Sequence, residues 1–538
     1  MINRRQFIKN STYTAGAVAT YPIKVTASRH QTSAEFFGVH EFIENNPEAV
    51  FIMKTDVDSK TNDEAKKQTG LEFGRSVIVP KENGIPVTSL IPIKPNLTNI
   101  NRSGSPKDNI EYRMGIVTDP IFVEGMIESL KELGISGDQI SMIETWNLGN
   151  WDPIGFTGVA ERTGTHMNDT GETKVANLSK DKIQWIDVPE GVWFRKIPYI
   201  WPINAQDTWL LNISKFKTHG MGVTLCCKNI QGTICHDYQE HCSRYDSSMN
   251  ISADHMNPNA KEDIWENYQR RLAEGVPRWD KPGSNGGIWM ETWGSRCLDN
   301  NSVTQAGLHI VEGIYGRDGD GFLNGPNKGD LKDNEAWDYM TNIIIFGKNQ
   351  YNVDIIGHWL AGHEPGNFGL FHMAIDRGYT SKLNPFDIPV YEWIDGQATL
   401  TPLDEFNRTT LQTYYLQRNY DGQDEPYFHL CDEPYDYPAL TGVDSQESAL
   451  PKTCVLHQNS PNPFNPNTSI EYTIPGNGQV RIEVFNMSGQ LVDVLTDSYK
   501  VNGTHMAVWN TNSHAAGLYM YRLRFRDFTE TKKMMLLK

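Results

Sequence analysis

This 538-residue sequence lacks three things: abundant cysteine, long apolar runs and an excess of basic residues. Its seven cysteines are too few for a disulfide scaffold of this length. No stretch reaches the roughly 18 apolar residues of a transmembrane helix, so none is predicted. Lysine and arginine number 49 against 66 acidic residues, which gives a formal charge of −17. This balance argues against a general nucleic-acid-binding protein, because such proteins use basic surface to release counterions.

Several catalytic and cofactor-binding signatures are also missing from the sequence. There is no GxxxxGK[ST], HExxH, GxSxG or CxxC pattern, and no GxGxxG follows a strand. The sequence therefore gives no indication of a P-loop nucleotide hydrolase, a zincin, an α/β-hydrolase or a ferredoxin-type iron–sulfur protein. The cofactor stays unidentified, and a divalent metal remains open.

Short apolar runs in the middle of the chain are typical of strands buried on both faces of a sheet. They cover residues 87–97, 139–144, 208–213, 307–313 and 341–347. Asp119 and Pro120 predict the start of a helix, and another helix is expected over 351–362. Strands alternating with helices indicate an α/β body over residues 28–435, with a mostly parallel sheet, flanking helices and long loop insertions.

The first 27 residues have the features of an export signal. Arg4 and Arg5 are followed by the tripeptide FIK and by a weakly apolar stretch with small residues near Ala27. This arrangement resembles a twin-arginine signal peptide; the alternative is a basic, frayed terminus. The resemblance implies export by the twin-arginine machinery, which moves folded proteins, often with a cofactor already inserted.

Alternating apolar residues near the C-terminus predict half-buried strands. The clearest run is Val480, Ile482 and Val484, and Pro-Gly, Ser-Gly and Asn-Gly pairs supply turns. About six short strands in some 80 residues favour an Ig-like β-sandwich over 455–538. Residues 436–454, with Pro, Gly, Ser and acids but little periodicity, are predicted to be a linker.

The same C-terminal segment carries motifs that resemble a known family. They are NxPNPFNPxT, xGxxV, GxHxxxW, AxGxYxYRL and a final KKMxLLK, and they span nearly all of residues 455–538. The segment is similar to the type A C-terminal sorting domain of the type IX secretion system; the alternative is an ordinary Ig-like module. The resemblance implies transit through the periplasm and the type IX export machinery to the outer cell surface or the extracellular space.

Residues 210–232 hold the densest group of candidate binding residues. If the preceding strand continues to His219, side-chain alternation places Lys215, Lys217 and His219 on one side of it. Such a cationic row favours an anion or carboxylates between its members. The alternative is a solvated basic face, or lysines paired with acids of the core.

A glycine-containing turn then leads to a predicted helix. Its apolar stripe would begin at Val223, with Thr224 and Lys228 on the other side. A helix N-terminus after a glycine turn presents free N–H groups and a positive dipole end, so an anion site is expected there.

This segment resembles the KxKTHxxxxxTLxxKNxxG core of the family catalogued as domain of unknown function 362. Further landmarks follow in the family's order: IKPNL at 93–97, TDP at 118–120, the acid Glu144, VEGIYGRDGDGFLNGP at 311–326 and NVDIIGHWLAG at 352–362. The resemblance covers residues 90–375 or so and implies no general biochemical activity. Some members carry ferredoxin-like cysteine clusters, which this chain lacks. Glu312 stands where members usually have aspartate.

Ligands of open α/β sheets bind beyond the carboxyl ends of the strands, and several candidates lie at such ends. The anion-binding candidates are Lys94, Asn96, Lys215, Thr224, Lys228 and Asn229. For Lys94 and Asn96 the alternative is a turn that only ends a strand. Asp354, early in the predicted helix 351–362, is either a cap or an inward-facing acid.

The sequence thus predicts a cationic pocket for an anionic small molecule and leaves its use open. In an enzyme, Lys217 would stabilise developing negative charge and His219 would be the general acid or base. Glu312 would balance charge or hold a divalent metal. The alternative is a non-catalytic surface protein that captures the ligand, and a third possibility is an adhesive or structural surface protein.

Two further groups contain side chains that bind metals. The first comprises Cys235, His236, His241 and Cys242. The alternative to a metal site there is a disulfide within the group, or free thiols. Asp318 and Asp320 resemble half of a calcium loop without its final glutamate, so the alternative is a glycine-rich turn.

Overall fold

The computed structural model describes residues 35–97, 114–145, 151–168, 174–219, 222–223, 225–239, 253–277, 279, 287–319, 336–413, 434–437, 454–474, 478–500, 503–511, 514–526 and 528–537. Contacts divide the chain into two compact units, residues 1–435 and 436–538. Arg4 and Arg5 lie outside the described residues. Among the described helices, none is long and apolar enough to cross a membrane.

The first unit is built on a ten-stranded mixed sheet. The strands of this unit are β1 Phe36–Val39, β2 Val50–Lys54, β3 Ile78–Lys81, β4 Ile85–Pro86, β5 Ile91–Pro95, β6 Ile140–Met142, β7 His166–Met167, β8 Ile183–Asp187, β9 Lys196–Ile200, β10 Leu210–His219, β11 Gly222–Val223, β12 Ala306–Arg317, β13 Asp338–Gly347, β14 Val390–Ile394 and β15 Gln397–Leu400. The sheet order is β15-β14-β2-β13-β12-β10-β5-β6-β7, and β11 pairs with β10. Strands β1, β3 and β4 form a small separate sheet, as do β8 and β9.

Most strands of the large sheet run in the same direction. Within the main order, β13 is antiparallel to β2 and β12, and β15 is antiparallel to β14, whereas the other neighbours are parallel. The carboxyl ends of β2, β5, β6, β10 and β12 therefore lie at one edge of the sheet, called here the carboxyl edge.

Helices cover both faces of this sheet. They are α1 Glu41–Glu44, α2 Asp63–Val77, α3 Pro120–Glu132, α4 Phe156–Thr163, α5 Cys226–Asn229, α6 His236–Gln239, α7 Ala260–Ala273, α8 Gly287–Val303, α9 Gln350–Leu360 and α10 Gly369–Asp376. Successive residues of one strand enter different cores: Ile310 packs with α2 and α3, and Val311 packs with α8, α9 and α10. This is the period-two alternation of a strand buried on both faces.

Two glycines allow α2 and α3 to pack closely. A Cβ atom at Gly70 would lie 2.1 Å from the carbonyl oxygen of Phe122, and one at Gly125 would lie 2.1 Å from that of Lys67. The two backbones are therefore in contact, which fixes where the N-terminal ends of both helices stand relative to the carboxyl edge.

The structure confirms the α/β architecture predicted from the sequence. The five apolar runs form β5, β6, β10, β12 and β13. Asp119 caps α3, since its Oδ1 accepts hydrogen bonds from the amides of Ile121 at 2.9 Å and Phe122 at 3.1 Å. Strand β2 was not predicted, although it lies inside the sheet between β13 and β14.

The helix predicted after the glycine turn is shorter than expected. Val223 belongs to β11, which pairs antiparallel with the end of β10, so it does not start an apolar helical stripe. Helix α5 begins only at Cys226 and spans four residues. Gly222 and Val223 pair with the backbone of β10 instead, so they are not available for the first turn of the helix.

The second unit consists of antiparallel strands in two sheets. They are β16 Val455–Leu456, β17 Asn467–Ile474, β18 Gly478–Asn486, β19 Leu491–Lys500, β20 Gly503–Asn510, β21 Gly517–Phe525 and β22 Phe528–Leu536. Their orders are β16-β17-β20 and β19-β18-β21-β22. The alternating residues Val480, Ile482 and Val484 are buried in the core of this unit, so the predicted β-sandwich is confirmed.

Candidate functional site

Two ion pairs are buried at the carboxyl edge of the sheet. One joins Lys215 of β10 to Glu312 of β12, and the other joins Lys94 of β5 to Glu144, which follows β6. Lys94, Lys215 and Glu312 were candidate site residues from the sequence, and Glu144 was a landmark of the family resemblance. The structure brings them together as pairs between neighbouring strands rather than as a single cluster.

Glu312 is fully satisfied by hydrogen bonds. Lys215 Nζ lies 3.0 and 2.8 Å from its two oxygens, and the amides of Asp119 and Ile314 donate to it at 3.0 and 3.1 Å. The Lys215 ammonium also lies 3.4 Å from the centre of the Tyr315 ring, a cation–π contact. Burial raises the pKa of Glu312 and lowers the pKa of Lys215, and each partner's charge opposes that shift. The ion pair, the two amide hydrogen bonds and the cation–π contact therefore stabilise these charges inside the protein.

The second pair is part of an amide network that includes Asn229. Lys94 Nζ donates to Glu144 Oε2 at 2.8 Å and to Asn229 Oδ1 at 3.0 Å. Asn229 Nδ2 donates back to the Lys94 carbonyl at 2.9 Å and to Asn212 Oδ1 at 2.8 Å. Asn96 Nδ2 reaches the same Asn229 oxygen at 3.3 Å. These contacts fix α5 against the end of β5.

The two pairs lie on opposite faces of the sheet. Lys94 is in register with Asn212, whose side chain contacts Cys226 of α5. Lys215 is an odd number of residues further along β10, so its side chain is on the other face, among Asp119 and Tyr315. The candidates at the strand ends therefore form two separate pairs, one on each face of the sheet.

Lys217 and Lys228 add positive charge at this edge. Lys217 is buried, with 1% of its surface exposed. Burial, followed by the positive charges of Lys228, Arg317 and Lys215, lowers the pKa of Lys217 well below its usual value. Arg317 is bound by Asp338 at 2.7 Å, but half-buried Lys228 forms no hydrogen bond or ion pair with any residue that the structure describes.

His219 is the last residue of β10 and is half-buried. Its backbone pairs with Gly222 in the hairpin to β11, and its carbonyl accepts a hydrogen bond from Thr413 Oγ1 at 2.9 Å. The strand therefore does continue to this residue, as the alternation argument required. Thr224, another candidate, lies outside the described residues.

The predicted anion site at the N-terminus of the following helix is already filled by the protein. The amides of Cys226 and Cys227 donate to the two oxygens of Asp354 at 2.8 and 2.9 Å. The expectation of a free helix N-terminus was wrong, because an inward-facing carboxylate from α9 supplies the anion. Burial raises the pKa of Asp354 to about 7, against the opposing effect of these hydrogen bonds.

The two candidate metal groups do not gather in the described part of the chain. Cys235 is a buried free cysteine whose pKa burial raises to about 12, and His236 begins the one-turn helix α6. His241 and Cys242 lie outside the described residues, as does Asp320. Asp318 accepts hydrogen bonds from the Trp337 amide at 2.7 Å and the Tyr339 hydroxyl at 3.2 Å, which fits a role in holding a turn. No group of three metal-capable side chains occurs among the described residues.

Sequence reasoning missed the network that extends the Lys215–Glu312 pair. The Tyr315 hydroxyl donates to Asp119 Oδ2 at 2.7 Å, and Lys66 Nζ lies 2.9 Å from the same oxygen. Lys66 in turn pairs with Asp63 at 2.9 Å. Asp119 was recognised only as a helix cap. The sequence did offer one signal for this network: Asp119 is an acid at a predicted helix start, and a buried strand of the same sheet carries lysines.

Comparison with known proteins gives two matches within the chain. Residues 91–358 match a family model described as domain of unknown function (DUF362). Residues 460–537 match a model described as secretion system C-terminal sorting domain. No curated protein matches the chain. The first match contains both buried ion pairs and the Lys217–Lys228 region.

Proposed function

Because the chain carries a DUF362 domain and a secretion system C-terminal sorting domain, we propose that it is an exported protein whose body binds an anionic small molecule at the carboxyl edge of the sheet. The sorting domain indicates passage through the type IX secretion system to the cell surface or the extracellular space. Binding of the anion by the body is the part that goes beyond these matches.

The observation that carries the proposal is that buried Lys217 and half-buried Lys228 lie near enough for their positive charges to act on each other. Their positive charges repel each other strongly enough to help lower the pKa of Lys217. Lys215 and Lys94 have carboxylate partners, Glu312 and Glu144, whereas Lys228 forms no ion pair with any residue that the structure describes. An anion between them would relieve this repulsion and would be held by charge-assisted hydrogen bonds.

In this proposal Lys94 and Asn229 act as positioning residues. They bind each other and anchor α5, and Lys228 is the residue immediately before Asn229. Asn96, whose Oδ1 has no hydrogen-bond partner, lies beside Asn229 and offers a hydrogen-bond acceptor to a ligand. His219, at the end of β10, and Thr224, which lies outside the described residues, are the remaining expected contacts.

A second candidate function is catalysis at the same place. Its support is the lowered pKa of buried Lys217, which favours the neutral amine, the form that acts as a base or nucleophile. Lys217 and His219 would then carry out proton transfer, while Glu312 compensates Lys215. A divalent metal held by residues outside the described part of the chain belongs to this alternative.

Calorimetric titration of the full chain with inorganic phosphate tests the binding proposal. We expect saturable binding, weakened about tenfold by Lys217→Met and by Lys228→Met, since each removes one charge-assisted hydrogen bond. Lys180→Ala removes an exposed lysine elsewhere in the body and is the matched control. Unchanged phosphate affinity in both lysine variants would rule the site out.

A metal assay with a turnover screen distinguishes the two candidate functions. Product release indicates an enzyme, and binding without turnover indicates capture of the ligand.

A further inference from the structure

A cleft of about 680 Å³ opens between the N-terminal ends of α2, α3 and α4. Its volume lies in the range of small-molecule sites, which is roughly 300–1,000 Å³. Val117, Ile121 and Ile154 contribute apolar surface to its wall. Helices α2 and α3 follow β2 and β5 in the chain, so the cleft lies at the carboxyl edge, on the face that holds Lys215 and Glu312. Neither the sequence motifs nor the family matches assign anything to it.

The wall of the cleft presents a guanidinium group, that of Arg162. Glu124, which is 3% exposed, accepts hydrogen bonds from Arg162 Nε at 3.0 Å and from Lys67 Nζ at 3.0 Å. Arg162 also donates to it through Nη2, so Nη1 is left over for a ligand. A Cβ atom at Gly158 would lie 2.9 Å from Nη1, which places this amino group directly over the backbone of α4.

The wall near this guanidinium also presents carboxylates, at the start of α2. Asp63 has a side chain that is 66% exposed and uses Oδ1 to bind buried Lys66 at 2.9 Å. Glu64 is exposed and forms no hydrogen bond or ion pair with any residue that the structure describes. Asp63 and Arg162 line the same cleft, and Asp63 is close enough for its charge to act on Arg162, so one small molecule can contact both.

We propose that this cleft binds a free α-amino acid with an apolar side chain. The ammonium group is held by Glu64 and Asp63, the carboxylate by Arg162 Nη1, and the side chain by the apolar wall. The charges of the wall favour a zwitterion over a simple anion or cation: the lining contains four carboxylates and three cationic side chains. A simple anion would face a net negative wall, and a simple cation would make no use of the Arg162 amino group that faces the cleft. The proposal does not depend on the anion site at Lys217 and Lys228.

Matched probes test the two charged contacts in the full chain. Calorimetric titration with phenylalanine and with leucine is expected to give saturable binding of at least one of them. N-acetylphenylalanine lacks the ammonium and phenethylamine lacks the carboxylate, and each should bind at least about tenfold more weakly than phenylalanine, or not at all. Absence of binding by both amino acids overturns the proposal, and so does equal affinity for phenylalanine and either truncated probe.

Substitutions of residues that line the cleft test whether the amino acid binds there or elsewhere in the body. Glu64→Gln and Arg162→Lys are each expected to weaken amino-acid binding about tenfold. Gly158→Leu fills the cleft beneath the movable end of Arg162 and should abolish binding without touching the core. Arg75→Ala removes another exposed arginine that pairs with a glutamate between α2 and α3, and it should leave binding unchanged. Unaltered binding in Gly158→Leu would place the amino acid elsewhere and overturn the proposal, even if phosphate still binds.

Discussion

Lys215 and Glu312 form an ion pair between two neighbouring parallel strands, with Nζ 2.8 Å from Oε2 and both side chains fully buried. The pair continues through Tyr315 and Asp119 to Lys66, which lies in the wall of the cleft beside α2. A buried charge is stable only when its partner and hydrogen bonds are in place. This edge of the sheet therefore carries a connected polar network, and Lys217 lies on the same strand as Lys215.

Glu312→Gln is expected to destabilise the body by about 3–5 kcal/mol, because it leaves the Lys215 charge buried without a counter-charge. Urea denaturation measures this change in the free energy of unfolding. Glu44→Gln, which removes the partner of Lys348 in a partly exposed pair, should change stability by less than about 1 kcal/mol. The double variant Lys215→Met, Glu312→Leu should recover much of the loss, and a single variant as stable as the control would contradict a structural role for the pair.

Gly232→Ala is expected to disrupt the second pair. The added Cβ would lie 2.3 Å from Lys94 Cε and 2.4 Å from Glu144 Oε1, so the pair must shift within a packed site. We expect a loss of about 1–3 kcal/mol in the free energy of unfolding, as for other overpacked positions. Gly38→Ala meets only the flexible Lys81 side chain at 3.4 Å and serves as the control. Equal stability of the two variants would mean that the Lys94–Glu144 contact is not tightly packed.

The sequence was sufficient to predict the strands of the site but not their partners. Apolar runs located β5, β10 and β12, and side-chain alternation placed Lys215 and Lys217 on the same strand face. The pairings depend on residues far apart in the chain: Lys215 and Glu312 are separated by 97 positions, and Cys226 and Asp354 by 128. A local pattern carries no information on which distant carboxylate will reach a lysine or fill a helix N-terminus.

The pH dependence of stability should change when Asp354 is replaced by asparagine. Burial raises the pKa of Asp354 to about 7, so the folded state holds its proton more tightly than the unfolded state does. This contribution to stability is present at low pH and is lost as the pH rises through the interval between the two pKa values. Chemical denaturation from pH 5 to 8 should therefore show a decline in the wild type that is smaller in Asp354→Asn, by up to a few kcal/mol. Parallel pH profiles would contradict the raised pKa.

The twin-arginine prediction can be tested by replacing Arg4 and Arg5 together with lysine. Lysine keeps the charge but lacks the planar guanidinium fork, so recognition of the paired arginines should fail. We expect the precursor to accumulate in the cytoplasm, as measured by cell fractionation and immunoblotting. Lys9→Arg changes a neighbouring basic residue conservatively and should leave export intact. Normal export of the double variant would point to another translocation route.

Lys217→Met should remove both a pH dependence and a response to anions. The pKa of Lys217 is lowered in the folded state, so the unfolded state binds more protons at intermediate pH. Its effect is therefore an increase in stability as the pH rises from the lowered pKa towards that of an ordinary lysine. A bound anion would favour the charged amine, so phosphate should raise the melting temperature of the wild type more at pH 7 than at pH 9.5. Thermal denaturation with and without phosphate should show neither effect in Lys217→Met and both in Lys180→Ala. A phosphate response that persists in Lys217→Met would mean that the anion binds away from this lysine.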